Sequence, residues 1–141
     1  MKETLRPGLT HTLTYVVPEH RTVPHLLPES PDFAALPPVL ATGYLLGLSE
    51  WACMEALHGH LDDNEITLGV HVDVSHDAPT VPGSTVQVDV TLASVEGRTL
   101  TFEVRATDNH AVVSSGTHRR AVVDRVRMAD RLDRLRAGGP G

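Results

Sequence analysis

The sequence predicts an α+β fold in which a five-stranded antiparallel sheet wraps around one long central helix. The first observation is a nearly uninterrupted apolar segment of helical length, which follows a single strand-like segment. The second is a run of four strand-like segments, three of them with alternating apolar residues. Hairpin-linked strands pair antiparallel and leave one apolar face, and we expect that face to cover the helix.

The strands are predicted from period-two alternation, which places every second side chain on one face. The predicted strands cover about residues 9–17, 67–76, 84–94, 98–107 and 111–123, with turns at 95–98 and 108–110. In the second strand, one set of residues is predicted to face the core: Leu68, Val70, Val72 and Val74. The other set is polar and is predicted to face solvent: Thr67, His71, Asp73 and Ser75.

The central helix is predicted over about residues 39–60, and residues 18–38 precede it. Six prolines in 18–38 are too many for regular structure, so we expect a long irregular loop. Loops of this length inside a compact domain are usually functional and often act as lids. Phe33 and Leu36 are its candidates for covering a pocket, although they could equally fix the loop to the core.

A long apolar helix wrapped by a hairpin-linked antiparallel sheet is the hotdog arrangement. The expected unit is a single domain over residues 1–141, large enough to bury its own core. Its five-stranded sheet leaves an unpaired edge strand, which proteins often cover by forming a homodimer.

Composition excludes several classes of function. The net charge of −6 disfavours nucleic acid as a partner, and no apolar run reaches membrane-spanning length. Cys53 is the only cysteine, so no internal disulfide can form, and its apolar neighbours favour packing over nucleophilic catalysis. Residues 1–8 lack the apolar stretch of a signal peptide. We therefore expect a cytoplasmic protein.

Basic residues are concentrated near the end of the chain. Residues 119–136 contain seven arginines, interrupted by three aspartates, and a helix is predicted over about 125–136. This pattern favours a solvated amphipathic helix. A local basic patch that holds a phosphorylated small molecule stays open as an alternative.

Glu50 is the candidate that carries chemistry, because it is a carboxylate in an otherwise uncharged apolar helix segment, residues 40–54. Its helical neighbours three and four residues away cannot neutralise it. A carboxylate in such a position must find a partner, stay protonated or face a cavity. Acid–base catalysis and a buried ion pair with an arginine from a facing strand both fit this pattern.

His76 continues the inward set of the second strand and lies at its end, before the break at residues 77–79. A single inward histidine is usually structural, whereas an inward histidine together with an inward glutamate favours general acid–base catalysis. The other histidines, nine in total, show no metal-binding spacing, and we expect no metal.

Thr42 and Gly69 are further candidates. Thr42 fits a helix N-cap, yet it lies eight residues, or ~12 Å, before Glu50 on a straight helix. Thr42 could therefore reach Glu50 only if the helix begins late, or it could serve a site shared across a dimer. Gly69 is a glycine inside a strand, which indicates either a bulge or a backbone N–H available as an oxyanion donor.

These residues, with others, resemble the fluoroacetyl-CoA thioesterase family over about residues 6–123. The similar blocks are residues 16–18, 22–23, 28–31, 41–43, 50–53, 94–98 and 115–118. The resemblance implies a homodimeric hotdog acyl-CoA thioesterase that destroys fluoroacetyl-CoA and needs no cofactor, since CoA is part of the substrate.

The resemblance also implies roles for individual residues. The family's catalytic threonine, glutamate and histidine correspond to Thr42, Glu50 and His76. Its substrate-contacting and pocket positions correspond to Gly69, Arg120, Val23 and Phe33. The family has a phenylalanine gate where this chain has Leu36, a difference that bears on fluorine selectivity.

The implied reaction is hydrolysis of an acyl-CoA thioester. Glu50 attacks the carbonyl or directs water onto it, Thr42 orients Glu50, and His76 acts as the acid–base group. In the family, selectivity is attributed partly to removal of an α-proton that fluorine acidifies. Arg120 could bind a CoA phosphate, fix the acyl end or pair with Glu50.

Three alternatives to this function stay open. They are a general short-chain acyl-CoA thioesterase, a hotdog hydratase acting on enoyl-CoA, and a non-catalytic acyl-CoA-binding protein. The hydratase is the least favoured of them, since such enzymes typically pair an aspartate and a histidine on the helix segment, a pattern that this chain lacks.

Overall fold

The computed structural model describes residues 1–141 and confirms the predicted α+β class. The strands are β1 (Thr10–Val16), β2 (Glu65–Val74), β3 (Thr85–Glu96), β4 (Thr99–Thr107) and β5 (Val112–Asp124). The helices are α1 (Val23–Leu26), α2 (Pro31–Ala34), α3 (Thr42–Ala56) and α4 (Arg125–Arg136). No helix has both the length and the apolar character needed to cross a bilayer.

All five strands form one antiparallel sheet in the order β1-β3-β4-β5-β2. The chain therefore crosses from one edge strand, β1, to the other, β2, by way of α3. Gly97, with a positive φ of 60°, supports the tight β3–β4 turn, as expected for a residue without a Cβ. α3 packs mainly against β1 and β3 and also touches β2 and β4.

The hydrophobic core lies between α3 and the sheet. From the sheet it contains fully buried apolar side chains on alternate positions of β3 and β4: Val86, Val88, Val90, Leu92, Leu100, Phe102, Val104 and Ala106. From α3 it contains Leu45, Leu48, Ala52, Cys53 and Ala56. The period of two in the strands and of about 3.6 in the helix produces these two facing sets.

The apolar character of α3 suggests a helix buried on every side, but in a single chain one of its faces is exposed. Trp51 and Met54 are exposed, and Glu50 is half-buried. The sheet covers one face of the helix, and outside the sheet α1 contacts only its first turn, at Gly43 and Tyr44. α3 is also shorter than predicted: Ala41 before it is extended, and the helix ends at Ala56, just before a turn that contains Gly59 at a φ of 82°.

β2 differs from its predicted pattern because a bulge interrupts it. Its register against β5 shifts between Gly69 and His71, and one extra residue on one strand reverses which side chains face inward. Val72 is paired with the buried His118 and so has the predicted orientation, but the open edge of the sheet leaves it 40% exposed. Leu68 lies before the bulge and faces outward, contrary to the prediction.

Thr67, on the same strand, was predicted to face outward and instead faces inward. Its hydroxyl accepts a hydrogen bond from the buried Arg120 at 2.9 Å. Val70 lies at the bulge and is exposed, contrary to its predicted inward orientation. A single inserted residue therefore explains all three errors in this strand.

Residues 18–38 are not irregular throughout, since they contain a 3₁₀ turn (Glu19–Arg21) and the short helices α1 and α2. Pro24 and Pro31 lie in the first turns of α1 and α2, where a missing N–H breaks no hydrogen bond. The Ser30 hydroxyl accepts from the Phe33 N–H and caps α2. Prolines that would break long helices thus begin short ones here.

Candidate functional site

Glu50 lies in the middle of α3 and forms an ion pair with Arg120 of β5. Its Oε2 accepts a hydrogen bond from Arg120 Nη1 at 2.8 Å. The Glu50 side chain is 39% exposed, and its Oε1 accepts no hydrogen bond within the chain. One carboxylate oxygen is therefore fixed while the other is available to a water molecule or a substrate.

Arg120 is held rigidly. It is 2% exposed, its Nε donates to the Thr67 hydroxyl, and its Nη2 donates to the Thr67 carbonyl, both at 2.9 Å. These bonds join β5 to the edge strand β2. The ion pair that the sequence left open is therefore present, and the guanidinium orients Glu50 from a fixed position.

His118 is a member of this cluster that the sequence analysis missed. Its Nδ1 lies 2.8 Å from the His71 carbonyl oxygen, and its Nε2 lies 3.1 Å from Arg120 Nη1. A carbonyl only accepts and a guanidinium only donates, so Nδ1 carries the proton and Nε2 holds a lone pair. His118 is therefore neutral in this arrangement. The available signal was its position two residues before Arg120, which places both on one face of β5.

Burial lowers the pKa of His118 below its ordinary value of 6.5, because the interior disfavours the charged imidazolium. The positive charge of Arg120 lowers this pKa further, while the His71 carbonyl and Glu50 act in the opposite direction. Both the geometry and the electrostatics thus keep His118 uncharged.

Gly69 lies directly opposite Glu50. A Cβ at this position would meet Glu50 Oε2 at 2.7 Å and His118 Cε1 at 3.2 Å. The register shift after Gly69 confirms the predicted bulge. The group that approaches this glycine closely is the Glu50 carboxylate, so the missing side chain provides the space for the ion pair.

Thr42 and His76 form a second group at the start of α3. Thr42 is the first residue of the helix rather than its N-cap, and its hydroxyl is 2.7 Å from His76 Nδ1. His76 Nε2 is buried and has no hydrogen-bond partner. A buried nitrogen without a partner is unusual and leaves one position of the imidazole available for further chemistry.

The two groups do not meet within one chain. No hydrogen bond joins Glu50 to Thr42 or His76, and eight helical residues separate Thr42 from Glu50 by ~12 Å. The expectations that Thr42 orients Glu50 and that Glu50 faces His76 are therefore not met within the chain. The physical reason is that α3 begins at Thr42 and continues without a break past Glu50.

Of the remaining candidate residues, Val23 lies beside the Thr42–His76 group. Val23 lines the same depression, of about 260 Å³, as Thr42 and His76. Phe33 is on α2 and Leu36 follows α2 with about half of its surface exposed; neither lines this depression. Val23 is thus placed beside the candidate site, while Phe33 and Leu36 are placed on the segment that precedes it.

Cys53 lies one helical turn after Glu50 and is fully buried in the core. Burial raises the pKa of its thiol to about 12, although Arg120 acts to lower it. A thiol with this pKa is not a nucleophile near neutral pH. This agrees with the packing role expected for Cys53.

Chemically, the site offers a fixed carboxylate with a free oxygen, a neutral imidazole beside it, and a second imidazole held by a hydroxyl. These groups are suited to activating water and transferring protons. No group of three or more histidine, cysteine, aspartate or glutamate residues is arranged to hold a metal ion.

Comparisons with known proteins agree with this chemistry. A family model described as fluoroacetyl-CoA-specific thioesterase matches residues 20–126. A fluoroacetyl-CoA thioesterase from Streptantibioticus cattleyicolor is 50% identical over 123 residues, which are 87% of this chain and 88% of that protein.

Solved structures are similar as well. A mutant of a fluoroacetyl-CoA thioesterase in complex with fluoroacetate superposes with a TM-score of 0.90 at 44% identity, covering 93% of this chain and 98% of that one. A hot-dog-like protein from Thermanaerovibrio acidaminovorans gives a TM-score of 0.76 at 25% identity, covering 89% of each chain. The hotdog arrangement predicted from the sequence is confirmed.

We expect the stability of the protein to depend on pH through His118. In the unfolded chain the imidazole of His118 takes up a proton near pH 6.5, whereas in the folded chain it does so only at lower pH. The free energy of unfolding should therefore fall as the pH decreases below 6.5, and the fall should end below the folded pKa. Urea unfolding at a series of pH values should show this slope.

The variant His118→Gln should flatten that part of the pH profile, and His20→Gln, which changes an exposed histidine, should leave it as in the wild type. An unchanged slope in His118→Gln would contradict the assignment.

Proposed function

Because the chain belongs to the fluoroacetyl-CoA-specific thioesterase family, we propose that it hydrolyses fluoroacetyl-CoA to fluoroacetate and free CoA. The observation that carries this proposal is the half-exposed Glu50 carboxylate, which Arg120 holds by one oxygen while the other stays free. We further propose that the enzyme acts in the cytoplasm as a detoxifying hydrolase.

In the proposed reaction, Glu50 either takes a proton from water as it attacks the carbonyl carbon or attacks that carbon itself, with water then cleaving the resulting anhydride. The C–S bond breaks, and a proton passes to the CoA thiolate. The Gly69 N–H is the proposed donor to the oxyanion. His76, held by Thr42 through Nδ1, is the proposed acid–base group through its free Nε2. Water is the only other reactant, so the reaction needs no cofactor.

Selectivity for fluorine needs more than the shape of the pocket. A pocket separates small apolar groups by only ~1–3 kcal/mol, and fluorine is close to hydrogen in size. We propose that His76 removes the α-proton that fluorine acidifies. Val23 lines the pocket in this proposal, and Phe33 and Leu36 belong to a lid over residues 18–38.

We also propose that the active protein is a homodimer with shared sites. β2 is an edge strand with exposed apolar side chains at Leu68, Val70 and Val72, the composition of a strand that pairs with another copy. Antiparallel pairing of two β2 strands about a two-fold axis would bring the Gly69 end of one strand towards the His76 end of the other. Glu50 of one subunit would then complete the Thr42–His76 group of the other.

A general short-chain acyl-CoA thioesterase is the second candidate. The feature that favours it is Leu36, an exposed aliphatic residue where the family has an aromatic gate. A non-catalytic acyl-CoA-binding protein would bind CoA esters without releasing thiol.

A thiol-release assay over acetyl-, fluoroacetyl-, propionyl- and longer CoA esters tests the function directly. We expect turnover that is highest for fluoroacetyl-CoA, and Glu50→Gln should lower kcat by about 10²–10⁴-fold because it removes the base or nucleophile. Glu55→Gln is the matched control, since Glu55 lies on the same helix but binds His11. Equal turnover of acetyl-CoA would support the general thioesterase, and saturable binding without thiol release would refute catalysis.

Gly69→Ala should impair both catalysis and stability. The new Cβ would displace the Glu50 carboxylate from the buried Arg120 and press on His118, so the melting temperature should fall as well. The displaced carboxylate should lower kcat/KM about tenfold or more. Gly47→Ala is the control, because nothing lies within 4 Å of a Cβ at that position. Wild-type kcat/KM in Gly69→Ala would show that the position of Glu50 does not matter.

Complementation tests whether the site is shared between subunits. Glu50→Gln and His76→Ala should each be inactive, but a mixture refolded together should recover about a quarter of wild-type activity. Half of the dimers formed at random are mixed, and each mixed dimer has one of its two sites intact. The mixture stays inactive if each chain builds its own complete site.

A further inference from the structure

A cleft of about 570 Å³ lies between α4, β5 and the segment before β2, outside the site described above. Three of its lining residues are arginines of α4: Arg127, Arg131 and Arg134. Their spacing of four and three residues places them on one face of the helix, over ~10 Å of its length. Arg98 of the β3–β4 turn lines the cleft from the opposite side. We call this cleft the arginine cleft.

These three α4 arginines form no salt bridge within the protein, although the charge of Arg127 helps to lower the pKa of Asp124. None of them lies within 4.0 Å of a carboxylate, whereas Arg136, which does not line the cleft, pairs with Asp133 at 2.9 Å. The arginine cleft is therefore a local site of positive charge on a chain whose net charge is −6.

The acidic residues of the cleft are already engaged. Asp62 and Glu65 both bind the amino group of Met1, and Glu65 also accepts from Arg98 at 2.7 Å. The bond to the Met1 amino group is the main reason that the pKa of Glu65 is lowered to about 2. Two carboxylates are thus paired with cations other than the α4 arginines.

Asp124 is engaged as well. Its side chain caps α4 by accepting from the N–H groups of Val126 and Arg127, and it accepts from the Asn64 amide at 2.8 Å. With all three acids occupied, an external anion is the natural partner for the α4 arginines.

The arginine cleft shares one lining residue with a second depression on the surface of α3 and β2. This depression, of about 480 Å³, shares Glu65 with the cleft and contains Thr67, which binds Arg120. Four of its other lining residues are apolar, namely Met54, Leu57, Leu61 and Ile66, and the rest are His58, Gly59 and Arg125. Met54 lies one helical turn after Glu50 on α3, so a long molecule with an uncharged middle could extend from the neighbourhood of Glu50, along this depression, to a phosphorylated end in the cleft.

We infer that the arginine cleft binds the phosphates of the nucleotide end of the CoA substrate, namely its diphosphate and its 3′-phosphate. This inference rests on the proposed function for the choice of ligand. A polyanionic substrate needs a local cationic site on an acidic protein, both to be attracted and to be oriented. Guanidinium groups are suited to this because they bind phosphate through two donors at once.

A binding experiment tests the cleft independently of catalysis. Titration calorimetry at low salt with adenosine 3′,5′-bisphosphate should show saturable binding to the full-length protein, weakened about fivefold or more in Arg131→Ala. Arg136→Ala should bind as the wild type does. Both residues lie on the exposed surface of α4, so neither change removes core packing.

Enzyme kinetics is the second test of the arginine cleft. Arg131→Ala should raise KM for an acyl-CoA about fivefold or more with kcat unchanged, and it should leave KM for the matching acyl-pantetheine, which lacks the nucleotide, unaltered. An equal effect on both thioesters, or on neither, would overturn the inference.

The binding and kinetic experiments together distinguish an error in the assignment of the cleft from an error in the proposed function. Turnover of acyl-CoA without bisphosphate binding would overturn the cleft alone. Bisphosphate binding that Arg131→Ala abolishes, with no thiol release from any ester, would overturn the hydrolase and keep the cleft. Equal binding of inorganic phosphate and the bisphosphate would identify a general anion site and also overturn the inference.

Discussion

The ion pair between Glu50 and Arg120 is the interaction on which the rest of the site depends. Arg120 donates to Thr67 on the edge strand, to His118 on its own strand and to Glu50 on the helix. One buried cation therefore fixes the edge of the sheet, the tautomer of an imidazole and the position of the carboxylate. A buried guanidinium tolerates this only with nearly all of its donors satisfied, so these three elements are coupled.

The central helix also fixes the distance between Thr42 and Glu50. It holds Thr42 at its first residue and Glu50 about two turns later on an unbroken segment, so a compact reaction centre cannot use both from one copy of the chain. The exposed apolar residues of α3 and β2 are in accord with this geometry, because they border the region where a second copy would contribute the missing half. In this proposal self-association is a requirement of the chemistry as well as of stability.

The fold class could be predicted because alternation in β4, and in β3 as far as Leu92, is regular and reports directly on burial. The partners of Glu50 could not be predicted from the sequence. Gly69 indicated a bulge, but sequence does not reveal on which side the register shifts, and the faces of Thr67 and Leu68 depend on that shift. His118 was overlooked because a buried histidine on a strand has no motif, and its role depends on cross-strand partners.

The proline-rich segment before the central helix has a thermodynamic consequence. Its prolines restrict φ, and three of its stretches are already folded as helical turns, so in the proposed role as a lid little backbone freedom remains to be lost on closure. A cover of this kind is preorganised: most of its ordering entropy is lost when the chain folds and little is lost in each catalytic cycle. A lid of this kind could enclose a small acyl group in an ordered pocket and still allow it to bind and leave rapidly.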